Sequence, residues 1–296
     1  MRFACFVHQG APRVGIVREQ SLLPAPAAWG DLTDIVRGGA AALQAAGALL
    51  GSARAEAVSL ASARLLAPLT RLRRDVLCVG WNYIEHFEEG RGLRNDEDKQ
   101  RPEHPTFFTK GPDVLIGPND DIGWDPQLSD RWDYEAELAL VIGRDGRGIP
   151  RARGYEHVWG YCMANDVSQR DLQRRHGGQW LKGKSIDGSM PLGPWLVTAD
   201  EVDPANVQVE CFVNGERRQS ASTAQMAFPI PHLLEELSFG MTLRAGDLFI
   251  TGTPSGVGFA RNPPLWLRAG DEIVTRGSGI GELRNRLVPA DLHGYA

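Results

Sequence analysis

The sequence predicts an α+β protein that is mostly β, and three observations carry that prediction. From Asp75 onward, short strand-like runs are separated by Gly and Pro: "VLCVGWNY", "PTFFTK", "AELALVIG", "VWGYCMAND", "GPWLVTA", "VQVECFVNGE", "DLFITGTP" and "DEIVTRGSGIGEL". Strands rarely alternate with long helical patterns, and no repeat of about 20 to 50 residues occurs, which argues against a doubly wound parallel sheet and a solenoid. The texture also changes near Arg73, so the 296 residues divide into a small N-terminal α+β domain over 1–73 and a larger domain over 74–296.

The N-terminal piece opens with the β-like "RFACFVHQGAPRVGIV", in which "GAP" marks a turn. The alanine-rich "GGAAALQAAGALLGSARAEAVSLASARLL" follows. Ala and Leu are strong helix formers, so a short packed helix is expected there rather than a linker. Further along, "NYIEHFEEG" and "IPHLLEELSFG" read as helices. Asn214-Gly215 marks a tight hairpin between a run of alternating apolar residues and a polar continuation.

Composition narrows the function classes. A net charge of −5 with intermixed signs leaves no basic stripe for nucleic acid or an anionic membrane surface, so a small-molecule partner is expected. Cys5, Cys78, Cys162 and Cys211 lie far apart with no CxxC pair, which favours reduced, buried thiols. "MRFACFVHQG" lacks a long apolar core, and no run of about 18 apolar residues occurs, so neither a signal peptide nor a membrane helix is indicated. A cytoplasmic location is expected.

The chemistry concentrates at "DYEAELALVIG". In a strand alternate side chains share a face, so Glu135 and Glu137 point one way, and Tyr134, Ala136, Leu138 and Leu140 the other. Two like charges this close repel, and one pKa rises unless a cation sits between them. The pair either shares a hard divalent ion or stays wet on an exposed edge. In "YCMANDVSQRDLQ" a strand-like run gives way to a helix-like one at Asp166, which either caps that helix or adds a third oxygen to a Mg²⁺ or Mn²⁺ site.

Four ordered stretches, "DYEAELALVIG", "GYCMANDVSQRDLQ", "LKGKSIDGSMPLGPWLV" and "ITGTPSGVGF", together resemble the fumarylacetoacetate hydrolase family, over roughly Asp75 to Val288. The resemblance implies a mixed β-sandwich roll, a homodimer, and one Mg²⁺ or Mn²⁺ acting on 2-oxo acids that carry a second carbonyl or carboxylate. It assigns Glu135, Glu137 and Asp166 to the metal, Lys184 to the catalytic set beside it, and Arg170, Gln173 and Thr253 to the substrate. Chelation of a 2-oxo carboxylate by such a cation stabilises an enolate-like carbanion.

"NYIEHFEEG" bears on the choice of reaction. His86 and Glu89 are three apart and share a helix face, where they either form a general-base pair or stand exposed beside a Glu-rich helix end. The family's lid segments resemble this one. The polar "EGRGLRNDEDKQRPEHP" after it reads as a mobile loop, and His104 within it as an exposed turn residue. The expected activity is hydrolysis of a C–C bond in a 2,4-dioxo acid of the acylpyruvate or fumarylpyruvate type, giving pyruvate and a carboxylic acid. The alternative is isomerisation or decarboxylation of a 2-oxo-heptenedioate or oxaloacetate-type substrate in aromatic catabolism. A silent member that only binds a small acid is the reading from another class.

Overall fold

A twelve-stranded mixed sheet runs through the molecule, and a five-stranded sheet packs on one of its faces. The computed structural model describes residues 1–52, 57–91 and 101–294. Residues 53–56 of the alanine-rich stretch and 92–100 of the expected mobile loop lie outside the described residues.

The main path of the large sheet starts at the edge strand Val58–Ser59. It continues through Ser21–Pro24, Ala11–Arg18, Arg2–His8, Met190–Thr198, Val158–Asn165, Ala136–Ile142, Leu248–Ile250 and Val76–Val79 to Phe107–Lys110. The first strands of the chain thus extend the same sheet, with Arg2 opposite Val197 and Phe3 opposite Leu196. The turn between the first two strands falls at Gln9 and Gly10, both at positive φ, so Ala11 and Pro12 already belong to the second strand. The alanine-rich segment forms the helix Gly39–Leu50, and the helices expected near Tyr83 and Pro231 span Ile84–Glu89 and Ile230–Ser238. Asn214 and Gly215, both at positive φ, join Gln208–Val213 to Glu216–Ser222 as the hairpin predicts.

Packing follows the alternation of side chains along each strand. In Ala136–Ile142 every residue is buried. Ala136, Leu138, Leu140 and Ile142 face the five-stranded sheet, meeting Val209, Cys211, Ile273 and Leu283. Ala139 and Val141 face the opposite side, toward Leu32, Ile35 and Val36 of the helix Leu32–Arg37. A strand buried on both faces reads as a continuous apolar run. Each aliphatic side chain buried this way contributes about 1.5–3 kcal/mol, which makes a charged residue in the run expensive. All four cysteines are free and buried. Among the described residues no helix is long and apolar enough to cross a membrane.

Gln219 ties the hairpin sheet to the start of the glutamate strand. Its Oε1 accepts from the Ala136 amide at 3.0 Å, and its Nε2 donates to Thr253 Oγ1 at 2.7 Å and to the Pro254 carbonyl at 2.8 Å. Replacing Gln219 by Leu strands the buried Ala136 amide and Pro254 carbonyl, each at about 1–3 kcal/mol, and removes one of the two hydrogen bonds of the Thr253 hydroxyl. The expected result is a thermal midpoint lowered by several degrees, read by circular dichroism, with the far-UV spectrum unchanged at 20 °C or so.

Candidate active site

Glu135 precedes and Glu137 lies within the strand Ala136–Ile142, at the end where its neighbours Val158–Asn165 and Leu248–Ile250 terminate. Asp166 follows the last residue of Val158–Asn165, and its amide donates to the Glu135 carbonyl at 2.8 Å. This places the carboxylates of Glu135, Glu137 and Asp166 within 4.8 Å of one another, all three buried. Asp166 is not a helix cap. Gln169 holds the N-cap position of the helix Arg170–Arg175, and Ser168–Gln169 forms a two-residue strand before it.

Buried cations surround the triad. Lys184 Nζ donates to Glu135 Oε2 and to Asp166 Oδ2, each at 2.7 Å. Lys110, fully buried, donates to Asp166 Oδ1 at 2.6 Å and to the Val167 carbonyl at 3.2 Å. Arg170 pairs with Glu135 at 2.6 Å and with Asp133 at 2.8 Å, while its Nη1 donates to Gln173 Oε1 at 3.2 Å. Four buried carboxylates, Asp133, Glu135, Glu137 and Asp166, therefore face three buried cations.

The imbalance falls on Glu137. Burial pushes its carboxyl well above the ordinary value of 4.5, and the charges of Asp166 and Glu135 push it further, outweighing Lys184 and the Gly252 amide. Burial acts on Glu135 too, yet Lys184, Arg170 and His86 override it and hold that carboxyl well below the usual carboxylate range. For Lys184 burial favours the neutral amine, but Asp166 and Glu135 outweigh it and the ammonium keeps its proton. An all-oxygen donor set with surplus negative charge suits a hard divalent cation, and each carboxylate oxygen has a further lone pair to offer. The residues present fit Mg²⁺ or Mn²⁺.

The loop after Leu248–Ile250 supplies backbone donors. The amide of Gly252 donates to Glu137 Oε2 at 2.6 Å, that of Gly256 to Glu89 Oε2 at 2.7 Å, and those of Gly258 and Phe259 to the two Asp133 oxygens at 2.7 and 3.0 Å. Gly252 has a φ of +90°, and a Cβ there would come within 2.7 Å of Asn82 Cβ, so the residue must be glycine for its amide to reach the glutamate.

The helix Ile84–Glu89 docks on this loop. His86 Nδ1 and Glu89 Oε1 are 2.6 Å apart, and His86 is buried and paired with that carboxylate instead of standing exposed on the helix. Its ring meets Phe259 edge-on at 6.5 Å, and the same Phe259 carries the Arg170 guanidinium 4.5 Å from its centroid. Trp81 and Phe87 pack against each other at 4.6 Å within the core, and Trp180 packs on Phe108. Thr253 is nearly inaccessible. Its hydroxyl donates to the Ala136 carbonyl and accepts from Gln219, so it holds the strand end. His104 lies apart, exposed and paired with Glu236 at 3.2 Å.

Sequence reasoning overlooks Lys110, Asp133, Gln219 and the loop amides. Lys110 shows as a lysine closing the apolar "PTFFTK", and Asp133 as one more carboxylate in the Asp133, Glu135, Glu137 alternation. Gln219 carries no such signal.

The fumarylacetoacetate (FAA) hydrolase C-terminal family profile matches residues 75–288. The chain belongs to the fumarylacetoacetate hydrolase family. It is 43% identical over 230 residues, 77% of this chain and 74% of the other, to oxaloacetate tautomerase YisK of Bacillus subtilis. Among solved structures it is similar to fumarylacetoacetate hydrolase from psychrophilic Exiguobacterium antarcticum, at 38% identity and a TM-score of 0.83, covering 98% of this chain and all of that one. It is also similar to maleylpyruvate hydrolase from Sphingobium in complex with manganese(II) and pyruvate. That likeness has 28% identity and a TM-score of 0.80, with 98% and 100% coverage. The protein is thus an enzyme of this family with a mostly β fold and an acidic cluster able to hold a metal.

Two outcomes are expected. A raised folded-state pKa at Glu137 means that its contribution to stability is full below 4.5 and is lost as pH rises toward the folded value. Glu135, with a lowered pKa, acts in the opposite sense and below 4.5. The thermal midpoint of metal-free protein should therefore fall as pH rises above 4.5, with Mg²⁺ flattening the curve and releasing a proton on binding, read by calorimetry in buffers of different ionisation enthalpy. Lys110→Met breaks a buried pair and should cost about 3–5 kcal/mol in denaturant unfolding, part of it recovered on adding Mg²⁺.

Proposed function

We propose that the enzyme interconverts the keto and enol forms of a 2-oxo dicarboxylic acid of the oxaloacetate type, with Mg²⁺ or Mn²⁺ held by Glu135, Glu137 and Asp166. The observation that carries this reading is the His86 and Glu89 pair docked, through the 252–259 loop, beside the buried acidic triad. One acid–base group next to an oxygen-lined cation site is the equipment that proton transfer next to a carbonyl requires. The substrate class is supported by the oxaloacetate tautomerase of Bacillus subtilis, at 43% identity.

A bound divalent cation supplies a Lewis acid for the two oxygens of a 2-oxo carboxylate. The chain's own residues do the rest. Glu89 accepts the hydrogen bond of His86 Nδ1 and orients the ring, whose Nε2 takes the enol proton and returns one to the adjacent carbon. Lys184 and Arg170 keep Glu135 ionised and add positive charge where the substrate's oxygen becomes negative. The Gly256 amide fixes Glu89 and hence the ring it orients.

Hydrolytic cleavage of a 2,4-dioxo acid is the second reading, favoured by the likeness to maleylpyruvate hydrolase. There His86 would deprotonate a water, and product analysis separates the two. Mg²⁺-loaded protein should accelerate the decay of enol-oxaloacetate absorbance without releasing pyruvate beyond the spontaneous rate, and His86→Ala should lower kcat by about 10²–10⁴-fold while Mg²⁺ binding is retained. Stoichiometric pyruvate and acetate from acetylpyruvate, with no effect on oxaloacetate, would establish the hydrolase instead.

A further inference from the structure

The helix Arg170–Arg175 carries three arginines, and one of them has no carboxylate. Arg170 is committed to Asp133 and Glu135, and Arg175 reaches Asp171 at 3.7 Å. Arg174 makes no ion pair or hydrogen bond among the described residues. It is solvent-exposed and follows Arg170 by four positions, which places the two on neighbouring turns of one helix face.

Its position is set by an aromatic ring that belongs to the site. The Arg174 guanidinium carbon lies 5.7 Å from the centroid of Phe259, the ring that also carries Arg170 at 4.5 Å and meets His86 edge-on. A cation over a π face is attracted to it, so the guanidinium rests beside the acid–base pair instead of ranging through solvent. The inner cations cannot serve a second ligand group, because Lys110, Lys184 and Arg170 are each bound to carboxylates of the chain. The surroundings of Arg174 are also short of negative charge. Partial burial, then the like charges of Arg170 and Arg131, lower its hold on its proton, and an anion is the partner such a place lacks.

We propose that Arg174 binds the distal carboxylate of the substrate, so that the enzyme prefers 2-oxo dicarboxylic acids to 2-oxo acids of equal length with an apolar end. This rests on the 2-oxo-acid reading above. The 2-oxo carboxylate end belongs with the triad and Lys184, and the other end then extends past Phe259 to the exposed Arg174. The guanidinium fork there matches a carboxylate with two parallel hydrogen bonds. Arg174 is a specificity residue: it sets affinity for one end of the ligand and leaves proton transfer to His86.

The test compares binding of 2-oxoglutarate and 2-oxovalerate, five-carbon 2-oxo acids that differ in a carboxylate against a methyl group, to Mg²⁺-loaded protein by calorimetry. Wild type should bind 2-oxoglutarate about tenfold more tightly. Arg174→Gln should remove that preference by weakening 2-oxoglutarate alone, and Arg174→Lys should restore part of it. A preference that persists in Arg174→Gln, or none in wild type, would overturn the assignment. If wild type binds neither acid, the 2-oxo-acid reading falls and takes this inference with it. Loss of the preference in Arg174→Gln, in a protein that leaves enol-oxaloacetate untouched, would uphold Arg174 and overturn only the tautomerase reading.

Discussion

The structure depends on keeping four carboxylates ionised or shared inside a core that otherwise excludes charge. Asp133, Glu135, Glu137 and Asp166 are nearly inaccessible, and an isolated buried carboxylate costs several kcal/mol even after relaxation. Arg170, Lys110 and Lys184 offset most of that cost, and each is placed by a different element: the helix Arg170–Arg175, the edge strand Phe107–Lys110 and the short helix Leu181–Lys184. The charge network therefore holds the fold as much as the fold holds the network. Loss of Arg170 leaves Asp133 without an ion-pair partner, and loss of Lys110 or Lys184 leaves Asp166 with one cation in place of two, so either change widens an excess of negative charge that a dication beside Glu137 would offset.

A second constraint is the single loop over residues 252–259. Its amides reach Glu137 in the acidic triad, Glu89 in the acid–base pair and Asp133 behind Arg170. A backbone amide is a donor that cannot rotate away, and it adds no side-chain bulk beside the carboxylates it holds. The same eight residues thus fix Glu137 of the acidic triad and Glu89 beside His86 relative to each other. Displacement of the helix Ile84–Glu89 would break the Gly256 to Glu89 hydrogen bond, so the position of that helix and the orientation of the His86 ring are coupled through that one contact.

The strands were legible in the sequence because hydrophobic alternation and Gly or Pro punctuation are local signals, and the Asn214-Gly215 hairpin shows how strong they are. The convergence of Glu135 and Glu137 was legible for the same reason, since side-chain direction alternates within one strand. Asp166 joined them through an antiparallel pairing, Ala136 opposite Asn165, which ordered motifs imply but local pattern does not. Lys110 stayed hidden because it lies 56 residues from Asp166 in the chain. Gln219 stayed hidden because a glutamine in a polar hairpin strand looks like any exposed residue until the sheets are stacked. The resemblance places Thr253 at the substrate, and the structure adds a local role, since its hydroxyl donates to the Ala136 carbonyl and accepts from Gln219.

Nothing in the acidic triad distinguishes tautomerisation from hydrolysis, since both pass through the same stabilised enolate and both need a base beside it. On the proposed reading, the reactions part at the destination of the proton that His86 takes. Tautomerisation returns it to the substrate carbon and requires the distal group to be held still. Hydrolysis needs room for a water between His86 and a distal carbonyl. If the distal end lies where we propose, the deciding side chains are Phe259 and Arg174, and neither is part of the charge network that fixes the core. A fold built this way could keep its triad, its lysines and its loop amides unchanged while an outer ring of residues changed the outcome, which would let one scaffold serve an oxaloacetate tautomerase and a maleylpyruvate hydrolase, the activities named for two of its relatives.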